Sequence, residues 1–382
     1  MKMFDVYPRY PINIVKSKGV YLWDDKDQKY LDLYGGHGVI SIGHAHPAYL
    51  SAIQKQIKKI GFYSNSIEIP LQQEFADLLS DLSSYDSYRL FLCNSGSEAN
   101  ENALKLASFH NGKKKVIAFK NSFHGRTSAS VNVTNQPNIS APINKEQFPV
   151  DFIELNNEIQ LLDKLNTDDV CAVIIEGIQG VGGLDMASES YLKLLSNLCI
   201  EKGIVLIIDE IQSGFGRSGK FFAHQHTVIK ADIITMAKGM GNGFPVAGLL
   251  INPAIKAKHG MLGTTFGGNH LACAAGISVV KTLKKEKLIE NAEKIGKLLV
   301  NELKKIPSIK QLKGKGLMLG VGFEFAAKQI RERLLIEHHI FTGSSANPNL
   351  LRILPPLSIT YEEIKVFPEA LKTVLNSLNQ QS

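Results

Sequence analysis

"ADIITMAKGMGNGFPVAGLLI", residues 231 to 251, is the stretch on which the fold turns. Two apolar, β-branched runs, "DIITMA" (232–237) and "VAGLLI" (246–251), flank a string of glycines, and each has the length of a strand. Neither alternates apolar with polar residues, which is the pattern of strands covered on both faces. Five more runs read the same way: "YRLFLC" (88–93), "KVIAF" (115–119), "VDFIEL" (150–155), "VCAVIIE" (170–176) and "IVLIIDE" (204–210). Helical segments lie between several of them, notably "SEANENALKLASFH" (97–110) and "SESYLKLLSNLCIEKG" (188–203). Apolar strands interleaved with helices predict an α/β fold with a mostly parallel, seven-stranded sheet covered on both faces.

The two ends of the chain read differently. "GVYLWDDKDQKYLDLYGG" (19–36) predicts a hairpin with a polar turn at Asp24–Asp27. After Lys281 come long helices, then short strands near "GKGLMLGVGFEF" and "LLRILPPLSIT". Residues 1–50 and 281–382 are therefore expected to build one smaller α+β domain from both termini, around a large domain of residues 51–280. The 382 residues suffice for two cooperating domains.

Composition narrows the function classes. A hydrophobic content of 44% is that of an ordinary globular protein, and no apolar stretch reaches the roughly 18 residues of a membrane span. The first residues, "MKMFDVYPRYPINIVKSKG", lack the apolar core of a secretory signal. Cys93, Cys171, Cys199 and Cys273 are scattered, so neither a zinc site nor a disulfide framework is expected, and a cytoplasmic location is. The formal charge of +7 is spread out, and the densest run, from Lys281, has Leu288, Ile295 and Leu298 at helical spacing. That is a solvated helix face rather than a nucleic-acid site.

Ligands of parallel sheets gather at the carboxyl ends of strands. The first strand ends in "CNSGSEANENALKLA", where a small polar turn at Asn94–Ser97 opens a helix. Free backbone N–H groups there suit a phosphate, although plain capping by Ser95 or Ser97 fits as well. "IVLIID" ends at Asp209, a carboxylate that needs a partner if buried: a protonated ring nitrogen of a cofactor, or a nearby Lys or Arg. Lys238 follows the next strand. Burial lowers the pKa of such an amine and makes it a nucleophile for aldehydes, whereas a snorkelling surface lysine is the plainer reading. Between these two, "GFGRSGK" (214–220) matches nucleotide-loop patterns by its letters. However, "FFAHQH" follows it where an apolar helix should open, and polar residues separate it from the strand. Taken jointly, a phosphate-shaped helix start, a strand-end acid and a strand-end lysine on one parallel sheet fit pyridoxal 5'-phosphate.

At these residues the chain resembles the class III aminotransferases of pyridoxal-phosphate fold type I, particularly their acetylornithine/ornithine branch. "GHAHP" (43–47), "SFHGRT" (122–127), "DEIQSGFGRSG", "AKGMGNGFPVAG", "GTTFGGNHLACAA" (263–275) and "RILPPL" (352–357) carry the resemblance in family order. It implies a homodimer with active sites at the subunit interface. It implies that Gly96 and Ser97 hold the cofactor phosphate, Phe123 stacks on the ring, Asp209 holds the ring nitrogen, Ile211 packs against the ring and Gln212 reaches the phenolic oxygen. Lys238 and Asp209 would be the catalytic pair. Thr265 would serve the partner subunit's phosphate site, with Thr264 near the substrate. Arg126 would take the substrate's α-carboxylate, and Arg352 that of glutamate or 2-oxoglutarate. The reaction implied moves the terminal amino group of N2-acetyl-L-ornithine to 2-oxoglutarate with ping-pong kinetics. N-succinylornithine, ornithine or 4-aminobutyrate as donors, and a glutamate-1-semialdehyde-type aminomutase, are the alternatives. A nucleotide-binding regulatory protein is the alternative from another class.

Three positions depart from the family pattern. "IQGVGG" has Val181 where a glutamate is usual, one able to pair with the arginine corresponding to Arg352. "EGIQG" has Gly177 in place of proline, and "GGHG" has His37 in place of an aliphatic residue. A lost negative charge and a gained donor near the substrate would suit an acyl group that itself carries a carboxylate.

Overall fold

Three short antiparallel strands, β1 (Ile14–Lys18), β2 (Tyr21–Asp24) and β3 (Lys29–Asp32), form near the amino-terminal end. The β2–β3 turn is where the sequence predicts it. Asp24 closes it by accepting from the backbone N–H groups of Lys26 and Gln28, each at 2.9 Å. These details come from a computed structural model, which describes residues 1–144 and 147–380.

All seven apolar runs join one sheet. Its strands are β4 (Arg89–Cys93), β5 (Lys115–Phe119), β6 (Val150–Ile153), β7 (Val170–Glu176), β8 (Val205–Asp209), β9 (Ile233–Met236) and β10 (Ala247–Ile251). Their order is β4-β10-β9-β8-β7-β5-β6. The strands β5 to β9 are parallel, and β10 runs antiparallel to both its neighbours. Every residue of β8, β9 and β10 is buried, as the unbroken apolar runs require.

The covering helices begin and end where local chemistry stops them. In the helix Gly96–Asn111, Ser95 accepts from the Glu98 N–H at 3.2 Å, and Gly112 ends the helix in the left-handed conformation. Ala99, Ala103 and Ala107 are fully buried, and their small side chains let the helix approach the sheet closely. The helix Glu189–Lys202 repeats the scheme, with Ser188 before it and Gly203 after it.

The lysine-rich run is two helices, His270–Lys285 and Leu288–Leu303, separated by Lys287 in the left-handed conformation. Leu288 and Ile295 are buried on the second, while its lysines face water. Beyond lie β11 (Gln311–Lys315), β12 (Met318–Gly322), β13 (Ile340–Phe341), β14 (Gly343–Ser344) and β15 (Leu350–Ile353). Four of these form the sheet β11-β12-β15-β14, while β13 pairs in parallel with β3, so both ends of the chain share a sheet. The expected boundaries at 50/51 and 280/281 fall inside the helices Pro47–Ile57 and His270–Lys285. We propose the turn at residues 286–287 as the later junction. No helix among the described residues is long and apolar enough to cross a membrane, and all four cysteines are free and buried.

Candidate active site

Strands β7, β8 and β9 end at one edge of the sheet, and their register sets Glu176 beside Asp209 and Asp209 beside Thr235. Beyond that edge lies a cavity of about 440 Å³. Gly96, Ser97, Phe123, Arg126, Asp209, Ile211, Gln212 and Lys238 all line it, drawn from segments 142 residues apart along the chain (238 − 96).

Asp209 is buried and held on both oxygens. Its Oδ1 accepts from the Ile211 N–H at 3.0 Å, and its Oδ2 from Asn100 Nδ2 and His124 Nδ1, each at 2.8 Å. Asn100 in turn donates to the His124 carbonyl at 2.7 Å and accepts from the Thr235 hydroxyl at 2.8 Å. The partner of the strand-end acid is thus a histidine and an amide, not the Lys or Arg that sequence reasoning offers. His124 Nε2 is buried and has no hydrogen-bond partner among the described residues.

Lys238 starts a short turn directly after β9, with φ +45°. A left-handed backbone costs an ordinary residue about 1–2 kcal/mol, and such strain collects at functional sites. Its amine makes no hydrogen bond or ion pair among the described residues. Burial lowers its pKa and Arg352 adds to this, while Asp209 and Glu176 oppose. Burial thus shifts the balance towards the neutral, nucleophilic amine.

The start of the helix Gly96–Asn111 forms another wall. Ser95 is the cap, so the plainer sequence reading holds for that residue, but the amides of Gly96 and Ser97 have no acceptor among the described residues. A Cβ at Gly96 would lie 2.9 Å from Ile211 Cδ1, which explains the glycine. The Ser97 hydroxyl is engaged by Thr127 and Ser130 at 2.7 and 2.6 Å. Two free amides at a helix start, a buried acid and an unpaired lysine match the donor set of pyridoxal phosphate: phosphate, ring nitrogen and aldehyde respectively. The residues fit the group.

Four expected residues do not line the cavity. Arg352 is buried one layer behind it, with Nη1 donating to the Gly180 carbonyl at 2.8 Å and to Gln212 Oε1 at 3.4 Å. Its Nε donates to the Ser344 carbonyl, so its acceptors among the described residues are neutral oxygens. His37 lies in a left-handed turn, Gly35 to Gly38, where its ring bonds to the Tyr34 hydroxyl and its carbonyl accepts from Gln212 Nε2 at 2.9 Å. Burial, Arg352 and Lys238 all hold its pKa below the usual histidine value. Thr264 accepts from Asn94 Nδ2 at 3.2 Å, one residue removed from the cavity, and Thr265 is exposed.

Val181 lines the cavity beside Gly180. Gly177 donates its N–H to the Asp209 carbonyl at 3.0 Å, a bond that proline lacks. A Cβ there would also meet Glu210 Oε1 at 2.7 Å. Glu210 cannot easily yield, because Ser213 and the backbone and ring of His224 all donate to it. The glycine run 214–219 makes no contact with the cavity. Its Arg217 is fully buried and donates to the carbonyls of Leu317, Pro355 and Ile40, a tie between distant segments rather than a nucleotide loop.

Sequence reasoning missed His124, Asn100, Thr235 and Glu176. His124 stands between Phe123 and Arg126 in "SFHGRT", and its signal was a histidine just past the end of a buried strand. Glu176 is a second acid ending an apolar run, the same pattern as Asp209. Its pKa is pushed up to about 7 by burial, with Asp209 acting the same way.

Comparison with known proteins agrees with this geometry. The family model described as aminotransferase class-III matches residues 5–375. The acetylornithine aminotransferase of Caldanaerobacter subterraneus subsp. tengcongensis is 38% identical, over 98% of each chain. That of Aquifex aeolicus is 39% identical, over 97% of this chain and 98% of its own. A solved ornithine aminotransferase from Toxoplasma gondii, with partial occupancy of pyridoxal phosphate at its active site, superposes with a TM-score of 0.90 at 28% identity. That match covers 98% of this chain and 92% of the other. With the family matched over nearly its whole length and the cofactor's donor set gathered at one sheet edge, the chain belongs to the class III aminotransferases, enzymes that depend on pyridoxal phosphate.

Proposed function

We propose that this enzyme moves the terminal amino group of an N-acylated ornithine, first of all N2-acetyl-L-ornithine, to 2-oxoglutarate. The products are the N-acyl glutamate semialdehyde and glutamate, a step of arginine biosynthesis. The observation that carries the reading is the unpaired amine of Lys238 beside Asp209, in a cavity with Arg126 at its lip and Arg352 behind its wall. Two arginines suit a pair of carboxylate-bearing substrates. Relatives carrying the acetylornithine name support the donor.

When bound, pyridoxal phosphate supplies an electron sink for the carbanion formed at the substrate carbon. Gly96 and Ser97 would take the phosphate on their amides, Phe123 and Ile211 the ring faces, and Gln212 the phenolic oxygen. Asp209 would keep the ring nitrogen protonated, itself held by Asn100 and His124. Lys238 Nζ would carry the proton between the substrate carbon and the cofactor carbon as general base and acid. Arg126 would hold the donor's α-carboxylate and Arg352 the acceptor's.

A homodimer in the cytoplasm completes the reading. Support comes from exposed Phe62, Tyr63, Ile67 and Phe266, with the rings of Phe62 and Phe266 5.3 Å apart. Such apolar exposure beside Thr264 and Thr265 suits a second copy, whose phosphate site Thr265 would reach. The second donor reading is N-succinylornithine, favoured by Val181, which leaves Arg352 with neutral partners among the described residues.

A panel of donors against 2-oxoglutarate tests all of this. An N-acylated ornithine should exceed ornithine and 4-aminobutyrate in kcat/KM by at least about tenfold. A faster reaction with either of those, or conversion of glutamate-1-semialdehyde without an acceptor, would overturn the proposal. The acetyl and succinyl compounds compared side by side decide the acyl group.

A further inference from the structure

Glu176 has no assigned part in the reaction, yet it lines the cavity at the end of β7, beside Asp209. Both its oxygens are used. Oε1 accepts from the Phe123 N–H at 2.9 Å, and Oε2 accepts from the Gly180 N–H at 2.8 Å. Phe123 is the residue proposed to cover the cofactor ring. Gly180 turns its carbonyl to Arg352 Nη1 at 2.8 Å. We propose that Glu176 is a positioning residue that fixes Phe123 over the ring and Arg352 at the acceptor's carboxylate from one carboxyl group. The inference rests on the transaminase reading above.

The residue type follows from the donors it meets. Two backbone N–H groups converge from different segments, 122–123 and 179–180, and a carboxylate offers an acceptor to each with no competing donor. A glutamine of the same shape would set its NH₂ against one of the two N–H groups. An apolar side chain would leave both unpaired in a buried place, which costs more than the hydrogen bonds are worth in water. Among the described residues the carboxyl makes no ion pair, although Lys238 and Arg352 lie within electrostatic reach. Its position is therefore not set by a cation; the two amides set it. A Cβ at Gly180 would lie 2.0 Å from Gln212 Oε1, so a side chain there would have to displace the end of Gln212. The link from Glu176 to Arg352 is short: one carboxylate, one glycine, one guanidinium.

In ping-pong kinetics, kcat/KM for each substrate reports its own half-reaction. The donor's carboxylate goes to Arg126, which Glu176 does not touch, and the acceptor's goes to Arg352, which it positions through Gly180. In the holoenzyme, Glu176→Gln should lower kcat/KM for both substrates through Phe123, and that for 2-oxoglutarate about tenfold more than that for the N-acylated ornithine through Arg352. Glutarate, a dicarboxylate without the reacting keto group, should bind E176Q about tenfold more weakly by calorimetry. Glu176→Asp keeps two acceptors on a shorter arm and should fall between wild type and E176Q; it also serves if E176Q does not fold. Equal losses in both half-reactions, or unchanged glutarate affinity in both variants, would overturn the positioning role. A wild-type enzyme that turns over no donor with 2-oxoglutarate would sink the function proposed above, while the glutarate measurement would still judge Glu176.

Discussion

Asn100→Asp exchanges one NH₂ group for an oxygen and leaves the shape nearly unchanged, so it isolates what the amide does under Asp209. The new carboxyl would face Asp209 Oδ2 across the 2.8 Å now bridged by the amide, and the His124 carbonyl across 2.7 Å. Two like charges 2.8 Å apart repel by about 6 kcal/mol at an effective dielectric constant of about 20. At about 1.36 kcal/mol per pKa unit, the introduced carboxyl should titrate about four units above its usual 3.9, near pH 8. A raised pKa in the folded state means that the charge penalty is absent below about pH 4 and grows as pH rises towards 8. The charge penalty alone is then about 1.5 kcal/mol at pH 5 and about 5 kcal/mol at pH 8. The gap between N100D and wild type should therefore widen by about 3.5 kcal/mol, on top of the one hydrogen bond a single O–H cannot make at any pH. His124, on the same oxygen, is common to both proteins and largely cancels in the difference. Urea titrations of the two proteins at both pH values make the measurement. A gap that is the same at pH 5 and pH 8 would refute the view that the amide shields Asp209 from a second acid.

Other perturbations follow from the same contacts. Lys238→Ala should remove the visible absorption of the cofactor-loaded protein and lower kcat on the order of a thousandfold or more, read by absorbance and turnover; a retained band would mean that another amine holds the aldehyde. Arg126→Ala should lower kcat/KM for the donor by about one to two orders of magnitude, since a charge-assisted hydrogen bond is worth about 1.5–3 kcal/mol. Gly177→Pro, although proline is the usual family residue, should destabilise this chain by about 3 kcal/mol, because it loses the N–H to the Asp209 carbonyl and presses on Glu210; an unchanged urea midpoint counts against that account. For Glu176, whose pKa is raised from 4.5 to about 7, stability held at low pH is lost as pH rises through about 7. E176Q should remove about 2–3 kcal/mol of that pH dependence between pH 5 and 8, with Asp209, His124, Lys238 and Arg352 the charged or titratable groups facing it in both proteins.

How legible was all this in the sequence? The seven strands were, because a strand buried on both faces leaves no choice but a continuous apolar run, and β7 to β10 are written that way. The reversed direction of β10 was not, since an apolar run carries no sign of direction. The glycine at 96 and the lysine at 238 could be picked out because their local surroundings are unusual: a helix start without side-chain cover, and a cation after a buried strand. His37 could be picked out as an oddity, but not its use. Its carbonyl, rather than its ring, meets Gln212 from 175 residues away, and backbone acceptors leave no trace in residue type.

The polar layer beneath the cavity shows why the limit falls there. Asn100 reads as one more polar residue on an amphipathic helix, Thr235 as a β-branched strand residue, and His124 as part of a turn. Only the register of β8 against β9, and the height of the helix Gly96–Asn111 over the sheet, bring the three onto Asp209. Each is identifiable afterwards by the same physical rule: a buried polar group must find a partner, and the partner of a strand-end acid must donate. Applied to Glu176, the rule yields two backbone amides in place of side chains. An acid whose partners are all backbone is invisible to motif matching, yet it is the one whose position depends most on the loops that carry Phe123 and Arg352's carbonyl anchor. Changes in those loops should therefore alter acceptor binding before they alter the chemistry at Lys238.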